Sequence, residues 1–296
     1  MKIAVYGQYY KDNTEDIIQK MLSVFEGHNT EVVFESGFYT TLKEKNILKK
    51  DFNVFTKHEE LDHRYDMLIS IGGDGTMLRA ATYIRDKNIP VLGINAGRLG
   101  FLATVQQEDI ETLLPLIFEN KFKISPRSLL SLNYEGMEKE DGLDFALNEI
   151  AVSRKDTTSM ITIEVKMDGD YLNAYWADGL IISTPTGSTG YSLSCGGPVL
   201  IPEVNSLVIT PIAPHNLNAR PLVIPDGTEL ELKVSGREPQ HLISLDSRIL
   251  TVDTETTLYI KKTEFKINMV EFPEEKFLMK ISHPVCICPD LIEAFK

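Results

Sequence analysis

The residues best suited to chemistry sit in Gly72-Gly73-Asp74-Gly75-Thr76. This stretch directly follows the apolar run Met67–Ile71 and precedes a helix-like segment from Met77 to Ile84. The apolar run has the length and β-branched content of a buried parallel strand. A glycine-rich turn from strand to helix leaves main-chain N–H groups pointing outward at the positive end of the helix dipole, which suits phosphate. Glycine is needed because a Cβ blocks both φ > 0 and the close approach of phosphate oxygens. From the residues alone, Asp74 is either a carboxylate at a phosphate loop or a cap on the following helix.

A second stretch runs from Asp178 to Pro198. The apolar run Leu180–Ser183 leads into the rigid Thr184-Pro185 and then a loop dense in hydroxyls and glycines. Hydroxyls and backbone N–H groups can hold phosphate, ribose or a base without net positive charge. A flexible linker is also rich in glycine and serine, but it lacks the preceding apolar run. Ala146-Leu-Asn-Glu149 sets an amide beside a carboxylate. Neighbouring strand residues point to opposite faces, so both meet one ligand only at a strand end or turn; otherwise they are an edge-strand polar pair. Smaller clusters are Pro211-Ile-Ala-Pro-His215, Leu217-Asn-Ala-Arg-Pro221 and Leu245-Asp-Ser-Arg248.

These stretches need elements to carry them. Residues 1–125 alternate strand and helix. Lys2–Tyr6 and Glu31–Glu35 are strand-like, Asn13–Phe25 has helical spacing with Asn13 or Thr14 as cap, and Leu42–Lys50 is a surface helix or loop. Ile89–Ile94 is another strand, followed by the glycine loop Asn95–Leu102, and Glu108–Phe118 is an amphipathic helix. This pattern predicts an α/β, Rossmann-like domain with ligands at the carboxyl ends of a parallel sheet. Residues 126–272 show short alternating runs with turn signals, Asp168-Gly169 among them, and predict an all-β, sandwich-like domain. Residues 273–296 are expected to pack back on the first domain.

Two domains suit a chain of 296 residues. No apolar run approaches a membrane span, and Lys2–Tyr6 is too short for a signal-peptide core, so no membrane partner is expected. The formal charge of −13 argues against nucleic acid, which needs a basic face. Anionic ligands must then be held by local donors. Cys195, Cys286 and Cys288 are odd in number and lack CxxC spacing, which fits a reducing cytoplasm. His283, Cys286 and Cys288 read as small residues of an apolar final strand rather than as metal ligands.

In order along the chain, GGDGT at 72–76, NxGxLGFL at 95–102, LNE at 147–149, DGLIISTPTGST at 178–189, TPIAPH at 210–215 and LxxRP at 217–221 together resemble the NAD kinase family. The resemblance spans roughly residues 1–290. GGDGT alone marks only the wider superfamily shared with phosphofructokinases and diacylglycerol kinases; the hydroxyl-rich motif is the family-specific part. Gly190 stands where the family usually has Ala, and Asp246-Ser-Arg248 where many members have Asp-Gly-Gln.

The resemblance implies transfer of the γ-phosphate of ATP to the 2′-hydroxyl of the adenosine ribose of NAD, in a cleft between the domains. It implies Asp74 as general base and a divalent cation, expected to be Mg²⁺, on the donor phosphates. Gly72, Gly73, Gly75, Thr76 and Arg79 would steady pyrophosphates, and Asn95 and Phe101 would complete the site, with Phe101 against a ring face. Asn148, Glu149, Asp178, Thr186, Thr189, Gly190, Tyr191, Ser192, Leu193, Ser194 and Ala213 would hold the base and riboses of NAD. Arg248 is either a phosphate or ribose contact or an ion-pair partner of Asp246 or Asp253. A homodimer or homotetramer is expected. Two other functions fit the same superfamily: a GGDGT-type kinase acting on another hydroxyl, and a non-catalytic NAD sensor.

Overall fold

The computed structural model describes residues 1–97, 100–137, 144–155, 159–216 and 218–273. The chain divides into two units. One comprises Met1–Pro126 with the strand Ile267–Glu271, and the other is Arg127–Lys266.

The first unit is built on a sheet whose central strands are apolar and whose outer strands are shorter or more polar. Its strands include β1 (Lys2–Gly7), β2 (Glu31–Glu35), β3 (Asn53–Phe55), β4 (Met67–Gly72), β5 (Val91–Asn95) and β6 (Lys123–Arg127). Every residue of β4 and β5 is buried, as a parallel strand covered on both faces requires. The sheet order is β3-β2-β1-β4-β5, then Ile267–Glu271, then β6. Pairing is parallel from β3 through Ile267–Glu271. The order reverses between β1 and β4, so the loops leaving these two strands flank the crevice where ligands bind in such sheets.

The longer helices of this unit are α1 (Thr14–Glu26), α2 (Ser36–Glu44) and α3 (Asp74–Ile84). α1 buries Ile17, Ile18, Met21 and Phe25 at helical spacing. α3 buries Met77, Ala80, Ala81 and Ile84.

Several expectations change. The α1 cap makes no side-chain bond; Thr14 Oγ1 accepts instead from the Tyr10 N–H at 2.7 Å, and Asn13 donates to the Ala96 carbonyl at 2.9 Å. Helix α2 begins at Ser36 because Glu35 accepts from the N–H groups of Gly37 and Phe38. The helix expected over 108–118 is broken into Ile110–Leu113 and Pro115–Phe118, since Pro115 has no N–H to continue the ladder. The strand Ile267–Glu271, read as part of a second domain ending at 272, joins the first sheet beside β5. The segment 274–296, with His283, Cys286 and Cys288, lies outside the described residues.

The second unit has two six-stranded antiparallel sheets. One runs Asp170–Ala177, Ile161–Met167, Leu230–Ser235, Thr257–Lys262, Leu130–Tyr134, Phe145–Ala146. The other runs Leu222–Pro225, Ser206–Ile212, Gly179–Ser183, Glu149–Arg154, Gln240–Leu245, Arg248–Asp253. Alternating side chains from both sheets, such as Ile163, Val165, Leu232 and Ile260 with Ile150, Val152, Leu180 and Ile243, form one core. That is the sandwich arrangement. Asp168 (φ +51°) and Gly169 (φ +91°) make the tight turn of the Ile161–Ala177 hairpin.

Candidate active site

In the first unit the turn after β4 has the expected form. Gly72 has φ +154°, and a Cβ on it would run into the Thr76 side chain. Gly73 and Gly75 have open space where a side chain would stand, so the main chain is bare there. Thr76 is buried and its hydroxyl donates to Gln8 Oε1 at 3.3 Å. Asn95, at the end of β5, is buried and accepts from the Gly97 N–H at 2.7 Å.

Asp74 does not cap α3, whose N-terminus lacks a side-chain cap. Its Oδ1 accepts from the N–H groups of Leu102 (2.9 Å) and Ala103 (3.2 Å), and its Oδ2 from Phe101 (2.8 Å). The second glycine loop is thus anchored on the carboxylate of the first. Oδ2 accepts this single main-chain bond and keeps a lone pair. Arg79 is exposed one turn further along α3 and reaches the Tyr6 hydroxyl. With Gln8, Glu35, Thr41 and Tyr83 these residues line a cavity of about 530 Å³ at the carboxyl ends of β1 and β2. Burial, with Glu35 and Tyr6 nearby, pushes the Tyr83 hydroxyl up to about 12, so it is a neutral donor.

In the second unit the strand Gly179–Ser183 leads into a tightly bonded turn. Thr184 is fully buried; its hydroxyl donates to the Leu147 carbonyl at 2.7 Å and accepts from the Gly187 N–H at 3.1 Å. A Cβ on Gly187 would overlap the Asn148 main chain. The Asn148 and Glu149 side chains come close to Gly190, and Glu149 is bonded by the Tyr191 N–H. Asn148 Oδ1 and Glu149 Oε2 are buried and accept no bond. Burial, reinforced by the Asp246 carboxylate, pushes Glu149 up to about 8, against the pull of the Tyr191 N–H. The carboxyl therefore carries a proton at neutral pH. Tyr191 is 45% exposed, so its ring is available to a ligand, as are the partly exposed Leu193 and Ser194. Ser192 is turned inward, its hydroxyl paired with Thr210 at 2.8 Å, so a ligand can meet only its main chain. Thr189 donates to the Thr186 carbonyl at 3.2 Å.

Asp178 and Ala213 line a separate pocket, although Asp178 is near enough to Tyr191 to add, after burial and Cys195, to the rise of its hydroxyl. Strand pairing sets Ser183 against Glu149 and Gly179 against Ser153. Asp178 is thus at the other end of the same strand, roughly 15 Å away at 3.3 Å per residue. Its carboxylate pairs with Arg154 at 3.0 Å. Both Asp178 and Ala213 line a pocket of about 420 Å³ with Arg154, Trp176, His215 and Arg237. Arg154 carries no motif that would have marked it in the sequence. Arg248 pairs with Asp246 at 3.2 Å and donates to the carbonyls of Phe145 (2.6 Å) and Leu245 (3.1 Å). The guanidinium expected to contact a ligand thus braces a turn of its own unit, and its partner is Asp246 rather than Asp253. Among the described residues, no three or more His, Cys, Asp or Glu side chains converge as a metal site.

A Rossmann-like domain bearing a strand–GGDGT–helix turn, joined to a double antiparallel sheet, defines a nucleotide-handling protein of the superfamily that GGDGT marks. Residues 8–122 match the model of the ATP-NAD kinase N-terminal domain, and residues 147–272 that of the ATP-NAD kinase C-terminal domain. The chain is 62% identical over 279 residues to the NAD kinase of Flavobacterium psychrophilum, covering 94% of this chain and 95% of that protein. It is 40% identical over 271 residues to the NAD kinase of Bacteroides fragilis, covering 92% of each. The fold matches yeast NADH kinase complexed with NADH, with TM-score 0.86, 21% identity and coverage of 97% of this chain and 88% of that one. It also matches an NAD kinase from Archaeoglobus fulgidus in complex with ATP, with TM-score 0.72, 26% identity and coverage of 95% and 97%. The chain belongs to the NAD kinase family.

Proposed function

We infer that this protein transfers the γ-phosphate of ATP to the 2′-hydroxyl of the adenosine ribose of NAD, giving NADP and ADP. The observation that carries this reading is the 62% identity to an NAD kinase across both units. The local geometry supplies a chemical account. A ribose hydroxyl is a weak nucleophile and gains from a carboxylate that takes its proton in the transition state. Asp74 has that chemistry: a carboxylate at a bare glycine turn, oriented by three main-chain donors, with a lone pair left on Oδ2. The N–H groups at Gly73 and Gly75 and the Arg79 guanidinium are suited to donor phosphates.

A divalent cation, Mg²⁺ in this reading, would enter on the ATP phosphates beside Asp74 and neutralise charge between the two anionic substrates. Asn148, Glu149 and the 186–194 turn would hold the dinucleotide, in keeping with the unpartnered buried oxygens of the first two. A homo-oligomer in the cytoplasm completes the proposal, and light scattering on the purified chain tests the oligomer.

Incubation with NAD, ATP and Mg²⁺, with NADP read through an NADP-specific dehydrogenase, tests the activity. Asp74→Asn is expected to retain NAD binding and lose about 10²–10⁴-fold in kcat, the usual cost of removing a general base. Near-normal turnover would remove Asp74 from the mechanism. Turnover of a different hydroxyl substrate but not of NAD would reassign the acceptor.

A further inference from the structure

A regular strand points successive N–H groups in opposite directions, yet the N–H groups of Leu147, Asn148 and Glu149 all meet one carboxylate. Asp246 Oδ1 accepts from Asn148 at 2.8 Å and Glu149 at 3.2 Å, and Oδ2 accepts from Leu147 at 3.0 Å. The chain at 147–148 is therefore curled out of strand geometry, forming a concave set of donors of the kind that binds anions. Here the anion is a side chain of the protein. Asp246 sits at positive φ in the turn between Gln240–Leu245 and Arg248–Asp253, and its own N–H donates back to the Glu149 carbonyl at 3.0 Å.

The carboxylate is almost wholly enclosed, 2% exposed, and Arg248 closes over it at 3.2 Å. Arg248 is fixed in turn by the Phe145 and Leu245 carbonyls and lies over the Phe145 ring. The same two residues carry the buried oxygens without partners, Asn148 Oδ1 and Glu149 Oε2, and their side chains come close to Gly190 of the hydroxyl-rich loop. Only a curl lets adjacent residues offer side chains to one ligand. Releasing Asp246 would return them to opposite faces.

We propose that Asp246, clamped by Arg248, is a positioning residue of the NAD site, holding the 147–149 curl that presents Asn148 and Glu149 to the dinucleotide. The proposal rests on the reading that these two residues bind NAD. Asp246 touches no substrate; it acts through the main chain and through its charge. Burial raises the Asp246 carboxyl, three N–H groups and the guanidinium work against that rise, and its charge adds to the burial that raises Glu149. The titratable or charged groups bearing on Glu149 are Asp246 from the turn and Tyr191 from the hydroxyl-rich loop.

The test compares steady-state kinetics of Asp246→Asn, Arg248→Gln and Arg248→Lys with those of Asn148→Ala and Glu149→Gln. Asp246→Asn is expected to raise KM for NAD about tenfold, the loss of charge-assisted bonds that orient the site, with KM for ATP and kcat nearly unchanged. The pH at which KM for NAD turns should also move to acid, because the charge raising Glu149 is gone; a merely structural residue would not move it. Arg248→Gln should give a smaller rise in KM for NAD, and Arg248→Lys should recover most of it by keeping a cation beside Asp246. If Asp246→Asn fails to fold, the Arg248 pair decides alone. If Asn148→Ala and Glu149→Gln raise KM for NAD while Arg248→Gln and any folded Asp246→Asn do not, the positioning role is overturned and the site reading stands. If Asn148→Ala and Glu149→Gln leave KM for NAD unchanged, the site reading itself fails and the proposal falls with it.

Discussion

Replacing Glu149 with glutamine should stabilise the second unit, and by an amount that depends on pH. Glu149 is 8% exposed, its Oε2 has no partner, and the nearby Asp246 adds to the burial that raises it. Its folded-state value of about 8 is above the unfolded value of 4.5. The folded chain therefore holds a proton that the unfolded chain releases across this window. The contribution of the group to stability is fully present below pH 4.5 and is lost as pH rises toward 8. At about 1.4 kcal/mol per pH unit the loss reaches an order of 3 kcal/mol at pH 7. Glu149→Gln carries the same shape and no titration, so it escapes this loss. Trp176, the only tryptophan in the chain, lies in the second unit and reports its urea transition. The stability difference, variant minus wild type, should be near zero at pH 4.5 and grow to a few kcal/mol by pH 7.5. A difference that stays flat over that range refutes the assignment of a protonated, buried Glu149. The gain in stability should be accompanied by a weaker hold on NAD, the usual relation between a strained polar site and its function.

Three other outcomes follow from the geometry. A Cβ on Gly100 would overlap the Asp74 carboxylate, so Gly100→Ala should displace the 100–103 loop and lower kcat about 10²-fold; a wild-type kcat would show that the anchoring is dispensable. His241 is fully buried with both ring nitrogens unpartnered, and burial lowers it to about 4 from 6.5. The unfolded chain takes up that proton first, so stability should fall as pH drops from 6.5 through 4, by up to about 3 kcal/mol; acid unfolding of His241→Leu should lack this component, and an unchanged acid limb counts against it. Tyr191→Ala removes an exposed ring beside Glu149 and should raise KM for NAD about tenfold if the ring packs on the ligand, as calorimetric titration with NAD would show.

The parts of the fold legible in the sequence were those fixed by local chemistry. Met67–Ile71 with its glycine turn, the Asp168-Gly169 hairpin and the alternating runs of the second unit each announce themselves within about ten residues. Ile267–Glu271 did not, because its apolar positions have the same spacing as the sandwich strands, and only pairing with Val91 across the chain decides its sheet. The candidate site was legible as motifs but not as geometry. Ser192 looked like a ligand hydroxyl because sequence cannot show which way a hydroxyl faces. Asp178 shares a motif with Thr186 and Thr189, yet a strand separates them. Asp246 carried no signal as an anchor of residues 147–149, since that role exists only once segments almost a hundred residues apart are brought together.

The placing of Ile267–Glu271 between β5 and β6 also has a consequence for the order in which the protein can assemble. The second unit is continuous in the chain, so it can fold as soon as Lys266 has left the ribosome. The first unit cannot. Its first strands emerge early, but β5 and β6 have a gap between them until the whole intervening unit has been made. An open strand edge, with its unpaired N–H and C=O groups, therefore persists through most of synthesis. The non-local strand that fills it makes the nucleotide-handling domain the later of the two to close, although it is the first to be translated.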